Sequence, residues 1–313
     1  MGNMVRISDE VAERLVQMND RTVLVSGRWI KVAAVKDEIW QEGDVVPDPY
    51  QFIASIRQRK GIRADIFTFS QKLTDTAPRF PFQYEWESVA AIPIVSYADW
   101  WTNRVSTDFR CDVRKAAKRG VTVRLVPFTE ELVRAIVEIY DETPIRQGRP
   151  FWHYRKGFDF AQRANSTYVD RSDFLGAYVG GDLIGFLKIV YVDRVARLMQ
   201  IIAKDAHRDK RPMAALIAKA VEVCASKGCS HLTYGKYRYA QGADSVTAFK
   251  HRNGFEEVLV PQYYVPLTIK GRLALHLRLQ RGPKALVPHP LLRWLRRIRA
   301  SLYRYSLRPG TVA

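Results

Sequence analysis

Cysteine is scarce and long apolar runs are missing. Cys111, Cys224 and Cys229 are the only cysteines. They are too few for a disulfide framework and show no metal-ligand spacing. No apolar stretch reaches the roughly 18–20 residues that span a bilayer. The opening MGNMVRISDEVAERL has no basic patch followed by an apolar block, so it does not read as a secretory signal. A reducing cytoplasm is the expected setting. No Ser-His-Asp set suggests itself. His153, His207 and His231 lack the spacing of metal ligands and read as structural, so no metal is expected.

Positive charge is abundant and unevenly placed. The net charge is +18, with 50 Lys and Arg against 32 Asp and Glu. From Lys270 onward there are eleven Lys or Arg and no acid, so the first 269 residues carry only +7. Such a tail suits an anionic partner: RNA, anionic lipid or a phosphorylated substrate. In HPLLRWLRRIRASLYRYSLR (289–308), Leu291, Leu295, Ile298 and Leu302 fall on one helical stripe among arginines. This suits a helix on an anionic membrane surface at the inner face, a helix offering arginines to RNA, or plain docking.

The element pattern is informative. RTVLVSGRWIKVAAV (21–35) reads as a hairpin, and 47–61 as a short helix stopped near Gly61. Residues 91–126 read as a strand, one basic helix from Tyr97 to Gly120, and a strand. Thr129 caps a helix over 128–143. Residues 173–204 form an antiparallel meander of three strands, turning at Gly180-Gly181-Asp182 and near Asp193. Pro212 opens an amphipathic helix that Gly228 closes. A strand (230–235), a short helix (242–254) and two strands follow. The strand after the long helix should lie parallel to the strand before it. Arg104, Arg110, Arg114, Lys115, Lys118 and Arg119, with Trp100, Trp101 and Phe109, could track RNA or form a solvated face over an aromatic underside.

This order, with a helix after the third strand of the meander, resembles the GNAT N-acetyltransferase fold. In that family the helix starts with a glycine loop facing the coenzyme A pyrophosphate. Here the stretch is Arg208-Asp209-Lys210-Arg211-Pro212-Met213, with Arg211 and Met213 at the glycine positions. SYADWWTNRVSTDFRCDVRKAAKRGVTV (96–123), IYDETPIRQGRPF (139–151) and SVTAFKHRNGF (245–255) are similar to segments of the Fem-type aminoacyltransferases. The resemblance covers about 85–270. It implies an α+β fold: a GNAT-like mixed, mostly antiparallel sheet with helices on both faces, preceded by a smaller degenerate GNAT-like half. The expected parts are 1–95, a GNAT-like acyltransferase domain over 96–270, and a basic tail over 271–313.

The implied chemistry is transfer of an activated carboxyl group from acyl-CoA or aminoacyl-tRNA to an amine-bearing acceptor, such as a cell-envelope precursor. Nothing need be bound permanently; the carrier is a co-substrate. Lys250 is the first catalytic candidate, set to neutralise developing negative charge. Phe249, beside it, is a substrate-binding candidate through the Phe-Lys resemblance. Tyr234 and Tyr237, where a strand leaves the sheet, are candidates for donating to the leaving group. Arg146 could turn into a cleft and hold a phosphate or carboxylate. Arg208, Lys210 and Arg211 would hold carrier phosphates by charge. Each also has an ordinary reading as a solvated cation or strand-end aromatic. The rival for the whole chain is a non-catalytic module of the same fold that binds nucleic acid or anionic membrane.

Overall fold

The computed structural model describes residues 14–18, 21–36, 46, 48–59, 61–146, 149–238 and 244–281. The stripe expected over 289–308 lies outside them. Most of the strands join one eleven-stranded sheet, in the order β1-β2-β3-β4-β13-β5-β12-β11-β10-β9-β6. In chain order these are β1 (Arg14–Met18), β2 (Arg21–Ser26), β3 (Val32–Val35), β4 (Ile66–Ser70), β5 (Gln83–Pro93) and β6 (Thr122–Val126). A two-residue ribbon, β7 (Ile145–Arg146) and β8 (Arg149–Pro150), stands apart. Then come β9 (Ser172–Val179), β10 (Asp182–Val192), β11 (Val195–Ala203), β12 (His231–Lys236) and β13 (Glu256–Pro266). Among the described residues only β3–β4 and β11–β12 pair in parallel; the other pairs are antiparallel.

The same plan occurs twice. In the first part, β1, β2 and β3 form an antiparallel meander. Helix α1 (Pro49–Gln58) then crosses over to β4, parallel to β3 for three residue pairs. In the second, β9, β10 and β11 form the meander. Helix α6 (Pro212–Ser226) crosses to β12, parallel to β11, again for three residue pairs. Both crossover helices open with proline, whose fixed φ suits a first helical turn. The two halves then exchange a strand: β5 pairs with β12, while β13, from the end of the second half, pairs with β4. β5 and β13 also pair with each other and complete the sheet.

Helices cover both faces. α6 packs with α3 (Thr107–Lys118) on one face, burying Leu216, Ile217 and Val221 completely. Each such side chain contributes roughly 1.5–3 kcal/mol of burial. The other face takes α4 (Glu130–Asp141) and α5 (Gly157–Asn165), with Ile136, Tyr140 and Phe186 in its core. Thr129 caps α4, accepting from the Leu132 N–H.

Two details differ from the sequence reading. The single basic helix expected from Tyr97 is broken. A short helix, α2 (Tyr97–Asp99), runs into a wide turn over Trp100–Arg104, and α3 starts afresh with Ser106 as its cap. Arg110 stabilises the break by donating to the carbonyls of Trp101, Thr102 and Val105 at 3.0, 3.3 and 3.0 Å. Trp100 and Phe109 are buried beneath it, which fits the aromatic underside and removes both rings from any stacking on RNA. The two strands expected after residue 254 are one, β13. Pro261 is accommodated because β4 covers that edge only from Gln262 onward. The segment from 271 begins within α8 (Ile269–His276), docked on the sheet through Ala274 and Leu275.

Candidate active site

The site begins where two neighbouring strands part. β11 and β12 pair at Val195–His231, Ala196–Leu232 and Arg197–Thr233, and no further. Two irregularities separate them. The register of β11 against β10 skips a residue at Met199, because Lys188 faces Gln200 while Ile189 faces Leu198. The register of β12 against β5 gains a residue between Thr233 and Lys236. Such bulges bend a strand and increase its twist. Gly235 lies in the second one at φ 57, the left-handed region where glycine is least strained. α6 leaves the C-terminal end of β11 and returns to the start of β12. The open end of the fork therefore faces the start of α6.

Helix α7 (Asp244–Arg252) places Lys250 against the β12 arm of this fork. The side chain is fully buried. Its Nζ donates to the Lys236 carbonyl and stands 4.8 Å from the centre of the Tyr234 ring. Burial, followed by the positive charge of Arg197, pulls its pKa down to about 7. An ammonium whose pKa lies near neutrality can give and take a proton at ordinary pH. Tyr234 is thus brought to Lys250. Tyr237 is buried just beyond, where its N–H donates to the Ser88 carbonyl at 2.8 Å and its own carbonyl accepts from the Thr247 hydroxyl at 3.2 Å. Phe249 packs against the core on the α6 face.

At the open end, Arg208 and Lys210 lie in a 3₁₀ turn over Asp205–Lys210, and Arg211 adopts φ 60, ψ 38. The backbone therefore keeps the left-handed turn that a glycine would supply, at a cost of roughly 1–2 kcal/mol. No side chain caps α6. In the first half the equivalent helix start is occupied: the Asp48 carboxylate accepts from the N–H groups of Tyr50 and Gln51, both at 3.0 Å. Of the two crossover helices, α1 has a side-chain cap and α6 has none, so the partial positive charge at the start of α6 is not offset by a capping carboxylate. Arg208 is exposed and Lys210 half-buried, while Arg211 Nε lies 3.1 Å from Asp112 without hydrogen-bond alignment.

Arg146 lies at the edge of this group, its Nη1 3.9 Å from the carboxylate of Asp205, the first residue of that turn. Its guanidinium donates to the carbonyls of Ala203 and Ile139 at 2.7 and 3.1 Å and to Glu142 at 3.2 Å, over the Phe151 ring. Through these bonds Arg146 ties the end of β11 to the end of α4. Beside it lies a buried polar chain that the sequence reading missed. Tyr140 donates to Gln200 at 2.9 Å and accepts from Asn165 at 3.1 Å, and Gln200 lies 3.4 Å from His153. Burial, then Arg146, lowers the His153 pKa to about 4, so its ring is neutral. Arg197 was also missed. Arg197 and Gln200 in the otherwise apolar VARLMQIIA were the available signal, since an interior strand carries polar side chains only at a cost. Among the described residues no group of His, Cys, Asp and Glu is placed to hold a metal ion, and no helix is long and apolar enough to cross a membrane.

Residues 133–255, from α4 to the start of β13, match the model of the acetyltransferase (GNAT) family. No curated protein matches the chain. Among solved structures, FemX aligns with a TM-score of 0.55 and 12% identity, over 85% of this chain and 90% of that one. L-PGS from Bacillus licheniformis aligns at 0.54 and 13%, over 85% and 88%. The C-terminal domain of a putative lysylphosphatidylglycerol synthetase from Agrobacterium fabrum aligns at 0.54 and 12%, over 84% and 86%. At these identities the alignments establish the fold. Residues 133–255 thus match the GNAT family model, and the chain shares the overall fold of these solved structures.

Proposed function

We propose that this FemAB-like GNAT protein is an N-acyltransferase that moves an acyl or aminoacyl group from a carrier, acyl-CoA or aminoacyl-tRNA, to an amine-bearing acceptor. The observation that carries the reading is the fork: β11 and β12 separate after three residue pairs, beside the uncapped start of α6, with Lys250 buried at the point of separation. The carrier phosphates lie at the α6 end, held by Arg208, Lys210 and Arg211 and by the helix N-terminus. The activated carbonyl enters the fork. The acceptor amine attacks it and a C–N bond forms. Arg197 and the ammonium of Lys250 offset the charge that develops on the carbonyl oxygen. As the intermediate collapses, the bond to the carrier breaks, Lys250 gives its proton to the leaving sulfur or oxygen, and it recovers one from the attacking nitrogen. Tyr234 supports the ammonium through its ring face.

The test is turnover of radiolabelled acyl-CoA and, separately, of aminoacyl-tRNA by the full chain. Breakdown or specific binding of one carrier is expected, with breakdown abolished in Lys250→Ala. If neither carrier is bound or consumed and the chain only retains nucleic acid in a salt-sensitive way, the non-catalytic module replaces this proposal.

A further inference from the structure

Far from the fork, the first half carries a surface that the transfer reaction does not use. The β2–β3 hairpin turns through Gly27 at φ 104 and presents Trp29, which is 80% exposed. Lys270 at the start of α8 donates to the Trp29 carbonyl and so links the hairpin tip to the helix. Along α8 and its C-terminal cap, Ile269, Leu273 and Leu277 follow one another at intervals of four residues and are 86%, 59% and 52% exposed. Their spacing gives one stripe. Arg28, Arg272 and Arg278, all exposed, flank it.

Beside the stripe is a cavity of about 580 Å³ whose lining includes Lys31, Arg57, Arg63 and Lys270. The only carboxylate in its lining, Asp65, is turned to other work. It accepts from the Lys31 N–H at 2.9 Å and the Thr268 hydroxyl at 3.0 Å, with Lys270 at 3.4 Å. The cavity therefore presents net positive charge next to large apolar side chains in water.

We propose that this face docks on an anionic lipid bilayer. Trp29, Ile269, Leu273 and Leu277 enter the interface, and the cations of the cavity receive headgroup phosphates. Charge complementarity selects the occupant. A protein partner would need only the apolar stripe, and a nucleic acid only the cations. An anionic bilayer uses both at once, with tryptophan at the headgroup level. Each cation near such a surface is worth about a factor of five in affinity. The surface is independent of the transferase site, so either proposal can fail alone.

The experiment is flotation of the full chain with phosphatidylcholine vesicles, with and without phosphatidylglycerol at about one third of the lipid. The chain is expected to float with the anionic vesicles. Combined Trp29→Ser, Ile269→Ser and Leu273→Ser should lower partitioning at least about tenfold, and Lys31→Glu with Arg63→Glu should do the same, all without lowering the melting temperature. Brominated lipid should quench tryptophan fluorescence in the wild type and much less in Trp29→Phe. No flotation with the anionic vesicles, equal partitioning of the triple variant, or unchanged quenching in Trp29→Phe would overturn the proposal.

Discussion

Replacing Lys250 by methionine tests the environment of the fork without knowledge of any substrate. The ammonium has a pKa near 7 in the folded chain, against an ordinary value of 10.5. Between those values the unfolded chain holds the proton and the folded chain does not. Unfolding therefore takes up a proton, and stability rises with pH across that window. Below pH 7 both states are charged, and the fold bears the whole cost, roughly 5 kcal/mol. Methionine has similar length and removes this cost. It also leaves the Lys236 carbonyl without its Lys250 donor, at about 1–3 kcal/mol. The variant should then be more stable than wild type at pH 7 by about 2–4 kcal/mol, although inactive. Urea denaturation at pH 7, 8 and 9 reads the effect directly. The advantage of the variant should shrink by about 2 kcal/mol over that range, because the wild type gains stability as its lysine discharges. A difference that does not change with pH, or a variant clearly weaker than wild type at pH 7, would mean that Lys250 keeps its full charge in the fold. The proton transfer assigned to it would then be refuted.

Two further outcomes follow from buried contacts. His153 stays neutral down to about pH 4 in the fold, while the unfolded side chain protonates near 6.5. Stability should therefore fall by about 3 kcal/mol as pH drops from 6.5 to 4, and His153→Phe should flatten that part of the pH–stability curve; equal slopes in both proteins would contradict it. Gly271 approaches the Asp65 backbone so closely that an added Cβ would stand 1.8 Å from the Asp65 carbonyl oxygen. Gly271→Ala should displace α8 and cost about 1–3 kcal/mol, read as a lower midpoint in thermal denaturation, and an unchanged midpoint would show that the helix can shift freely.

The local grammar of the second half was legible. Gly180-Gly181-Asp182 marks a tight turn, Pro212 a helix start and Gly228 its end, because each acts through its own backbone. The two bulges that open the fork were not legible. The bulges at Met199 and around Gly235 depend on how a strand meets its neighbours, and alternation along one strand does not report that. Lys250 illustrates the same limit. In AFKHRNG it looks like one of three solvated cations, and only the tertiary placement of α7 turns it inward while leaving His251 and Arg252 exposed. Arg146 shows the converse: its position after a helix suggested a ligand contact, and nothing in its local sequence announced that carbonyls at the ends of α4 and β11 would engage it. The basic helix from Tyr97 broke because Ser106 is a strong cap and Arg110 can satisfy the carbonyls left open, neither of which disturbs the helical periodicity.

The exchange of β5 and β13 makes the two halves mutually dependent. β4 acquires its second neighbour only when the chain returns some 190 residues later. Cutting between the halves would strip a bordering strand from each and expose two raw sheet edges, which invite association with other chains. Assembly must also wait for one of the longest loops in the molecule to close, so folding should be slow for its size. The first part, whose own crossover helix is capped by Asp48, cannot be discarded: it lends the strand that flanks the fork.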